Sequence, residues 1–284
     1  MTPERPTAEP PRTTPYLVAA RIGRSARVYL DRGPSAGRVV SQFRGGVNAL
    51  LERGSSRALV VLQTDAVAFH PWGVAVDPDL SERVTVGNSV TAAPHRIQLG
   101  SGLAIDVAGA AVVDLRIERF TQLEARRARA RLPFLSRSVG EADPVPSEIA
   151  RRLDGWRAGA CPEHLVGLVG LGPGATPAGD DLLVGILAGL AASPVGRAHG
   201  QGLRRRLDAV NLPQRTPIGS AQAIRAAIGG AFPEPLVDLA AAARRGDDDA
   251  ATRTLDHLVR LGASSGRAML VGFRAGLGVA GVRV

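Results

Sequence analysis

Gly170-Leu171-Gly172-Pro173-Gly174-Ala175-Thr176-Pro177-Ala178-Gly179-Asp180-Asp181, followed by the apolar run Leu182 to Leu190, sets the reading of the C-terminal half of this 284-residue chain. An apolar lead, Leu165 to Val169, enters a loop rich in glycine and proline, and a helix leaves it. Such a turn leaves backbone N–H groups unpaired at a helix start, and with the helix dipole these form an anion site. Glycine lets the backbone approach a ligand closely, and proline stiffens the loop in advance. The two aspartates complicate a simple phosphate cradle, because bare carboxylates repel phosphate. A Mg²⁺ ion between Asp180 and Asp181 would resolve the conflict. An aspartate that orients an amide or accepts a proton would also do so. The alternative is structural: Asp180 caps the helix, while Gly185 and Gly189 permit close helix packing.

A second segment, Leu261-Gly262-Ala263-Ser264-Ser265-Gly266-Arg267, repeats the pattern before an apolar helix in which Gly272 and Gly276 are again four apart. Ser264 and Ser265 either donate to an anion or cap that helix. Two such units predict a pair of glycine-faced helices, with both N-termini facing one pocket. Between them, Leu212 to Ser220 offers Arg215 as a bidentate clamp for carboxylate or phosphate. Thr216 is either a ligand group or the N-cap before Pro217 at the first helical position.

Around these turns the pattern from residue 147 onward is helical: Ser147–Arg157, Asp181–Ala192, Gly200–Val210, Ile218–Ile228, Pro235–Ala243, Asp248–Leu261 and Arg267–Gly276. Asp247, Asp248 and Asp249 suit a helix start, where the macrodipole favours acids. Glu118 to Leu132 is helical and arginine-laden, and Pro133, Pro144 and Pro146 mark a linker over 133–146.

Residues 16–132 form a strand-rich unit by pattern. The expected strands are Tyr16–Ile22, Arg27–Leu30, Arg38–Phe43, Ala58–Gln63, Val67–His70, Val74–Val76, Arg83–Val86, Arg96–Leu99 and Leu103–Val107, with Gly46 to Leu51 as a short helix. The fold class is therefore α+β. A strand-rich sheet or barrel-like domain precedes a mostly helical domain over 147–284. The proline-rich residues 1–15 are expected to be a disordered leader.

Composition narrows the chemistry. Hydrophobic residues at 45% against 21% charged argue for packed cores over disorder. All 35 basic residues are arginine. Without lysine there is no lysine-anchored Schiff base and no Walker-type phosphate loop. Any phosphate must rest on amides, hydroxyls, arginine or a metal. The net charge of +9 brings nucleic acid to mind, but aromatics are only 4%, too few for base stacking beside the basic runs. The single Cys161 forbids an internal disulfide, and the five histidines show no metal-binding spacing. A reducing, cytoplasmic setting fits. The uninterrupted apolar run, Leu182 to Ala192, is far short of the ~20 residues that span a bilayer.

The Gly170–Asp181 segment resembles the Gly-Leu-Thr-Pro-Ser-Gly-Asp-Asp signature of the AllH-like family, named for a subunit of oxamate carbamoyltransferase. Thr176, Pro177, Gly179, Asp180 and Asp181 match, and Ala175 and Ala178 replace leucine and serine. Val40 to Phe43 with Val47-Asn48 resembles the family's early strand and its asparagine-containing turn. Thr216 to Gly229 resembles its threonine-led helix. Gly262 to Leu270 resembles a late Gly-His-Ser-Ser-Gly-x-Asp segment, with Ala263 and Ala268 where that pattern has histidine and aspartate.

The resemblance implies one subunit of a hetero-oligomeric transferase that moves a carbamoyl group between phosphate and an amide such as oxamate. On that footing Asp180, Asp181 and Thr176 are the expected catalytic residues. Gly172, Gly174, Arg215, Thr216, Ser264 and Ser265 are the expected binding residues for a phosphate-containing small molecule. Asp180 and Asp181 are the expected ligands of any Mg²⁺. The alternative is a non-catalytic or regulatory subunit that has lost part of its site at Ala263 and Ala268.

Overall fold

The computed structural model describes residues 16–138, 146–157 and 162–278. The expected leader, much of the expected linker and Cys161 lie outside the described residues. Ten strands come first: β1 (Tyr16–Val18), β2 (Arg21–Gly23), β3 (Ser35–Phe43), β4 (Gly46–Arg53), β5 (Ser56–Gln63), β6 (Gly73–Ala75), β7 (Ser89–Ala93), β8 (Arg96–Leu99), β9 (Leu103–Asp106) and β10 (Ala111–Val113), with helix α1 (Arg24–Asp31) after β2. The helices that follow are α2 (Gln122–Ser138), α3 (Ser147–Arg157), α4 (Glu163–Val166), α5 (Ala178–Ala192), α6 (Gly196–Asp208), α7 (Leu212–Arg215), α8 (Ile218–Ile228), α9 (Glu234–Arg245), α10 (Asp248–Val259) and α11 (Ser265–Gly278). The expected α+β order holds.

The strands form one sheet in the order β1-β9-β8-β7-β3-β4-β5-β6-β2-β10. β1 pairs with β9 and β2 with β6, yet only Ala19 and Ala20 separate β1 from β2. Two residues span at most ~7 Å, so the sheet curls until its two ends are neighbours. The curl wraps a core of Ile22, Val39, Leu51, Val60, Leu62 and Ile105, to which α1 adds Ala26, Tyr29 and Leu30.

Several local expectations are overturned, each for an identifiable reason. Tyr16–Ile22 is two strands because the chain changes partners at Ala19-Ala20. Arg27–Leu30 is helical: its buried residues Ala26, Tyr29 and Leu30 fall at helical spacing, which a four-residue window cannot separate from a strand. Gly46–Leu51 is strand, not helix. Two-residue turns with Gly45 and Gly54 at positive φ fold β4 between β3 and β5, and burial on both faces erases the period-2 signal. Asn48 accordingly sits within β4, donating to the Ser41 hydroxyl at 2.8 Å across the β3–β4 ladder rather than in a turn. Val67–His70 is not strand. The carbonyls of Val67 and Ala68 accept from the Gln63 side chain, and that of Phe69 accepts from the Glu234 amide. Arg83–Val86 follows a 3-10 turn, and the Thr85 amide is held by Asn88. The strands β7 and β10 went unanticipated.

In the second half, α2 starts at a capping box, Thr121 and Glu124 each accepting from the other's amide. It then runs through Pro133 to Ser138, into the span expected to be linker. Pro133 removes one backbone donor, while Ala125, Ala128 and Leu132 anchor the preceding turns in the core.

The central pair is α5 and α11. Added Cβ atoms at Gly185 and Gly189 would lie 2.1 and 2.2 Å from the carbonyl oxygens of Met269 and Phe273. At Gly272 and Gly276 they would lie 2.2 and 2.3 Å from those of Leu182 and Ile186. Only glycine permits backbones this close. Partner numbers rise together along both helices, so the pair is parallel and its N-termini lie at the same end. The glycine-faced helix pair expected from sequence is present.

The two halves are joined through specific polar contacts. The Gln222 side chain accepts from the Leu59 amide at 2.8 Å and donates to the Leu59 carbonyl at 2.6 Å, tying α8 to β5. Arg21 of β2 pairs with Glu234 at 2.7 Å, and the Phe232 amide donates to the Leu115 carbonyl.

Candidate active site at the paired helix starts

The parallel α5–α11 pair brings the two glycine-rich turns together. The hydroxyls of Thr176 and Ser265 are 3.0 Å apart, bridging the loop before α5 to the first residue of α11. Between them begins the acidic turn of α5, with Asp180 1% and Asp181 5% exposed. Two adjacent carboxylates so far from water are costly unless partnered or protonated.

Asp180 is partnered. One oxygen accepts from the Gly170 amide at 2.8 Å, closing the glycine-rich loop onto its own helix. The other accepts from the buried Thr216 hydroxyl in a short hydrogen bond. Burial raises the Asp180 carboxyl above the usual range, opposed by Thr216, the Gly170 amide, the nearby Ser220 hydroxyl and the Arg215 charge. Gly170 has φ +75°, and a Cβ there would lie 2.0 Å from the Arg215 carbonyl oxygen, so the turn before α8 is seated on the loop. Asp180 thus serves as the internal clasp of the site rather than as a helix cap.

Asp181 differs. Its Oδ2 is buried with no hydrogen-bond partner. Burial pushes its carboxyl up to about 7, the Ser265 hydroxyl opposing the rise and Asp180 adding to it. A carboxyl that titrates near neutrality can both take and give a proton at working pH. The exposed loop that leads into α5 carries Gly172 and Gly174 at positive φ. The amides of Gly172, Gly174, Ala175 and Thr176 have no acceptor among the described residues. These amides and the two helix starts present positive dipole ends to one exposed surface.

The structure therefore gathers Thr176, Asp180, Asp181, Thr216 and Ser265 at one place, where the loop of Gly172 and Gly174 enters α5. Thr216 is neither solvent-facing nor the N-cap, a position that Pro217 takes; its hydroxyl is committed to Asp180. Arg215 and Ser264 are exposed at the rim. Sequence reasoning missed Ser220, which sits one helical turn beyond Thr216, and that i, i+4 spacing was the available signal. Asp180 has both oxygens engaged, so the pair leaves one unpartnered, buried carboxylate oxygen where Mg²⁺ favours several. Among the described residues no three His, Cys, Asp or Glu side chains gather as a metal-binding group.

The family model described as oxamate carbamoyltransferase subunit AllH matches residues 168–277, and that of the AllH family N-terminal domain matches residues 18–112. This chain belongs to the AllH family. The first match begins just before the glycine-rich loop and ends within α11, so it encloses every residue of the site. No curated protein and no solved structure matches the chain. Among the described residues no helix is long and apolar enough to cross a membrane.

Proposed function

We propose that this AllH-family chain contributes a carbamoyl-transfer site to a hetero-oligomeric transferase of the cytoplasm, and that the site is the joint N-terminus of α5 and α11. The observation that carries the reading is Asp181: a buried carboxyl pushed up to about 7, one oxygen unpartnered, linked through Ser265 and Thr176 to a loop of unpaired amides. Carbamoyl phosphate is the donor and an amide-bearing carboxylate such as oxamate the acceptor. The acceptor nitrogen attacks the carbamoyl carbon and the new C–N bond forms. The C–O bond to phosphate breaks, and phosphate leaves with the bonding pair. The proton lost from the acceptor nitrogen passes to Asp181. The Gly172, Gly174 and Thr176 amides hold the phosphoryl oxygens, where the paired helix dipoles favour negative charge. The exposed Thr176 hydroxyl donates at the rim in exchange for its bond to Ser265, whose own proton is held on Asp181, and Arg215 and Ser264 receive the acceptor's carboxylate.

A thermal-shift titration with carbamoyl phosphate, inorganic phosphate and Mg²⁺ tests the binding half. Both phosphates raise the melting temperature, Mg²⁺ alone does not, and Ser265→Ala weakens the response to phosphate. No shift with either phosphate, in the chain alone or assembled with its partner subunits, contradicts the reading.

The second reading is a non-catalytic subunit. It is favoured by Ala263, exposed in the turn before α11, and by Ala268, buried in its second turn. Neither can exchange a proton. It predicts that an assembled complex keeps its activity when Asp181 is replaced.

A further inference from the structure

A cleft of about 360 Å³ opens where the sheet meets the helices, at the C-terminal end of α8. None of its lining residues belongs to the Asp181 site. Along α8, Ser220 at that site and Arg225 at the cleft are five residues, roughly 7.5 Å, apart. Arg24, Arg32, Arg57, Arg116 and Arg225 line the cleft against a single acid, Asp114. That aspartate is shared by Arg24 at 3.2 Å and Arg116 at 3.3 Å, and Arg57 pairs with Glu52 outside the cleft. Arg32 and Arg225 have no carboxylate partner among the described residues. So many guanidinium groups around one concavity focus a positive potential that a bound anion would relieve.

An aromatic pair forms part of the wall. Trp72 and Tyr29, both lining the cleft, meet edge to face with ring centroids 6.2 Å apart. The Trp72 Nε1 and the Tyr29 hydroxyl are both sealed from the cleft, so the aromatic pair offers ring surface rather than donors. The Gly229, Gly230 and Ala231 amides close onto the carbonyls of Arg225, Ala227 and Ala226, which lessens the negative end that α8 presents to the cleft.

We propose that this cleft is a second ligand site, for a small molecule carrying two or more phosphate groups on a flat body, the nucleoside di- and triphosphate class. Arg32 and Arg225 take the phosphates, since the guanidinium fork matches paired phosphate oxygens. Trp72 and its apolar neighbours take the flat body. The volume lies within the range of small-molecule sites, and charged groups converge there on a partly apolar wall.

Trp72 is one of two tryptophans, the other being Trp156 in α3. In a Trp156→Phe background, emission therefore reports on the cleft. ATP should change that emission saturably at low salt. Pyrophosphate should compete, adenosine should not, and the double variant Arg32→Gln/Arg225→Gln should weaken ATP binding about tenfold or more. Asp181→Asn should leave ATP binding unchanged. The melting shift of the wild-type chain with ATP gives the same readout if Trp156→Phe does not fold. The proposal is overturned if neither ATP nor pyrophosphate alters emission or melting. It is equally overturned if the double variant binds ATP as the parent does, and pyrophosphate binding as tightly as ATP overturns the assignment to nucleotides.

Discussion

Alanine at Gly185 and alanine at Gly202 should have opposite effects on stability, although the chemical change is identical. Both glycines are helical, and replacing glycine by alanine in a helix contributes about 1 kcal/mol through backbone entropy and propensity. At Gly202 in α6 a Cβ meets nothing within 4 Å, so that gain is the whole effect. At Gly185 the new Cβ lies 2.1 Å from the Met269 carbonyl oxygen and 2.9 Å from the Met269 Cα. These are backbone atoms that cannot rotate away, and α5 must move outward by about 1 Å before the contact is tolerable. Overpacking of this kind costs about 1–3 kcal/mol and sometimes more. Rigid neighbours put Gly185 at the upper end, so after the propensity gain the net loss is about 2 kcal/mol. For a chain of this size each kcal/mol moves the melting temperature by about 2–4 °C. Calorimetry should therefore show Gly185→Ala melting about 4–8 °C lower, and Gly202→Ala about 2–4 °C higher. Equal melting of Gly185→Ala and the parent would refute the close-packed seam on which the site geometry rests.

Other outcomes follow from the same contacts. Asp181 holds its proton in the folded chain up to about pH 7, whereas an unfolded aspartate loses it near 3.8. Its contribution to stability is therefore complete below that lower value and is lost as the pH rises between the two. Denaturation curves across pH should show Asp181→Asn gaining on the parent through that window and holding a constant margin above it. Thr216→Val leaves one oxygen of the buried Asp180 without its donor and should cost about 1.5–3 kcal/mol in urea unfolding, with Thr216→Ser restoring most of it. Gln222→Ala removes both contacts to the Leu59 backbone and should cost about 2 kcal/mol or more, with faster hydrogen exchange at the Leu59 amide.

What could be read in the sequence followed the strength of its periodic and turn signals. The helical half was legible because its helices are long and bounded by proline, glycine and acidic turns. Asp247, for example, accepts from the Ala250 amide at the start of α10 as an N-cap should. The α5–α11 seam was legible because glycines four apart on two apolar helices have few other uses. The sheet was less so: β10 has three residues and β4 is buried on both faces, so neither shows a clean alternation. The curl could not be foreseen, because it depends on two residues, Ala19 and Ala20, linking strands at opposite ends of the sheet. In the site, residue identities were readable but roles were not. Asp180 and Asp181 are neighbours of one type, and only their surroundings make the first a clasp and the second a buried carboxyl with one oxygen unpartnered. The arginine surplus looked scattered along the chain, and folding brings five of those arginines to one cleft.

The central claim, that Asp181 moves the proton in carbamoyl transfer, is tested most directly by the turnover of the transferase assembled with wild-type chain and with Asp181→Asn. Asparagine keeps the size and removes the titrating group. The account predicts assembly and carbamoyl phosphate binding like the parent's, and a kcat lower by about 10²-fold or more. An Asp181→Asn complex that turns over at the parental rate would contradict it.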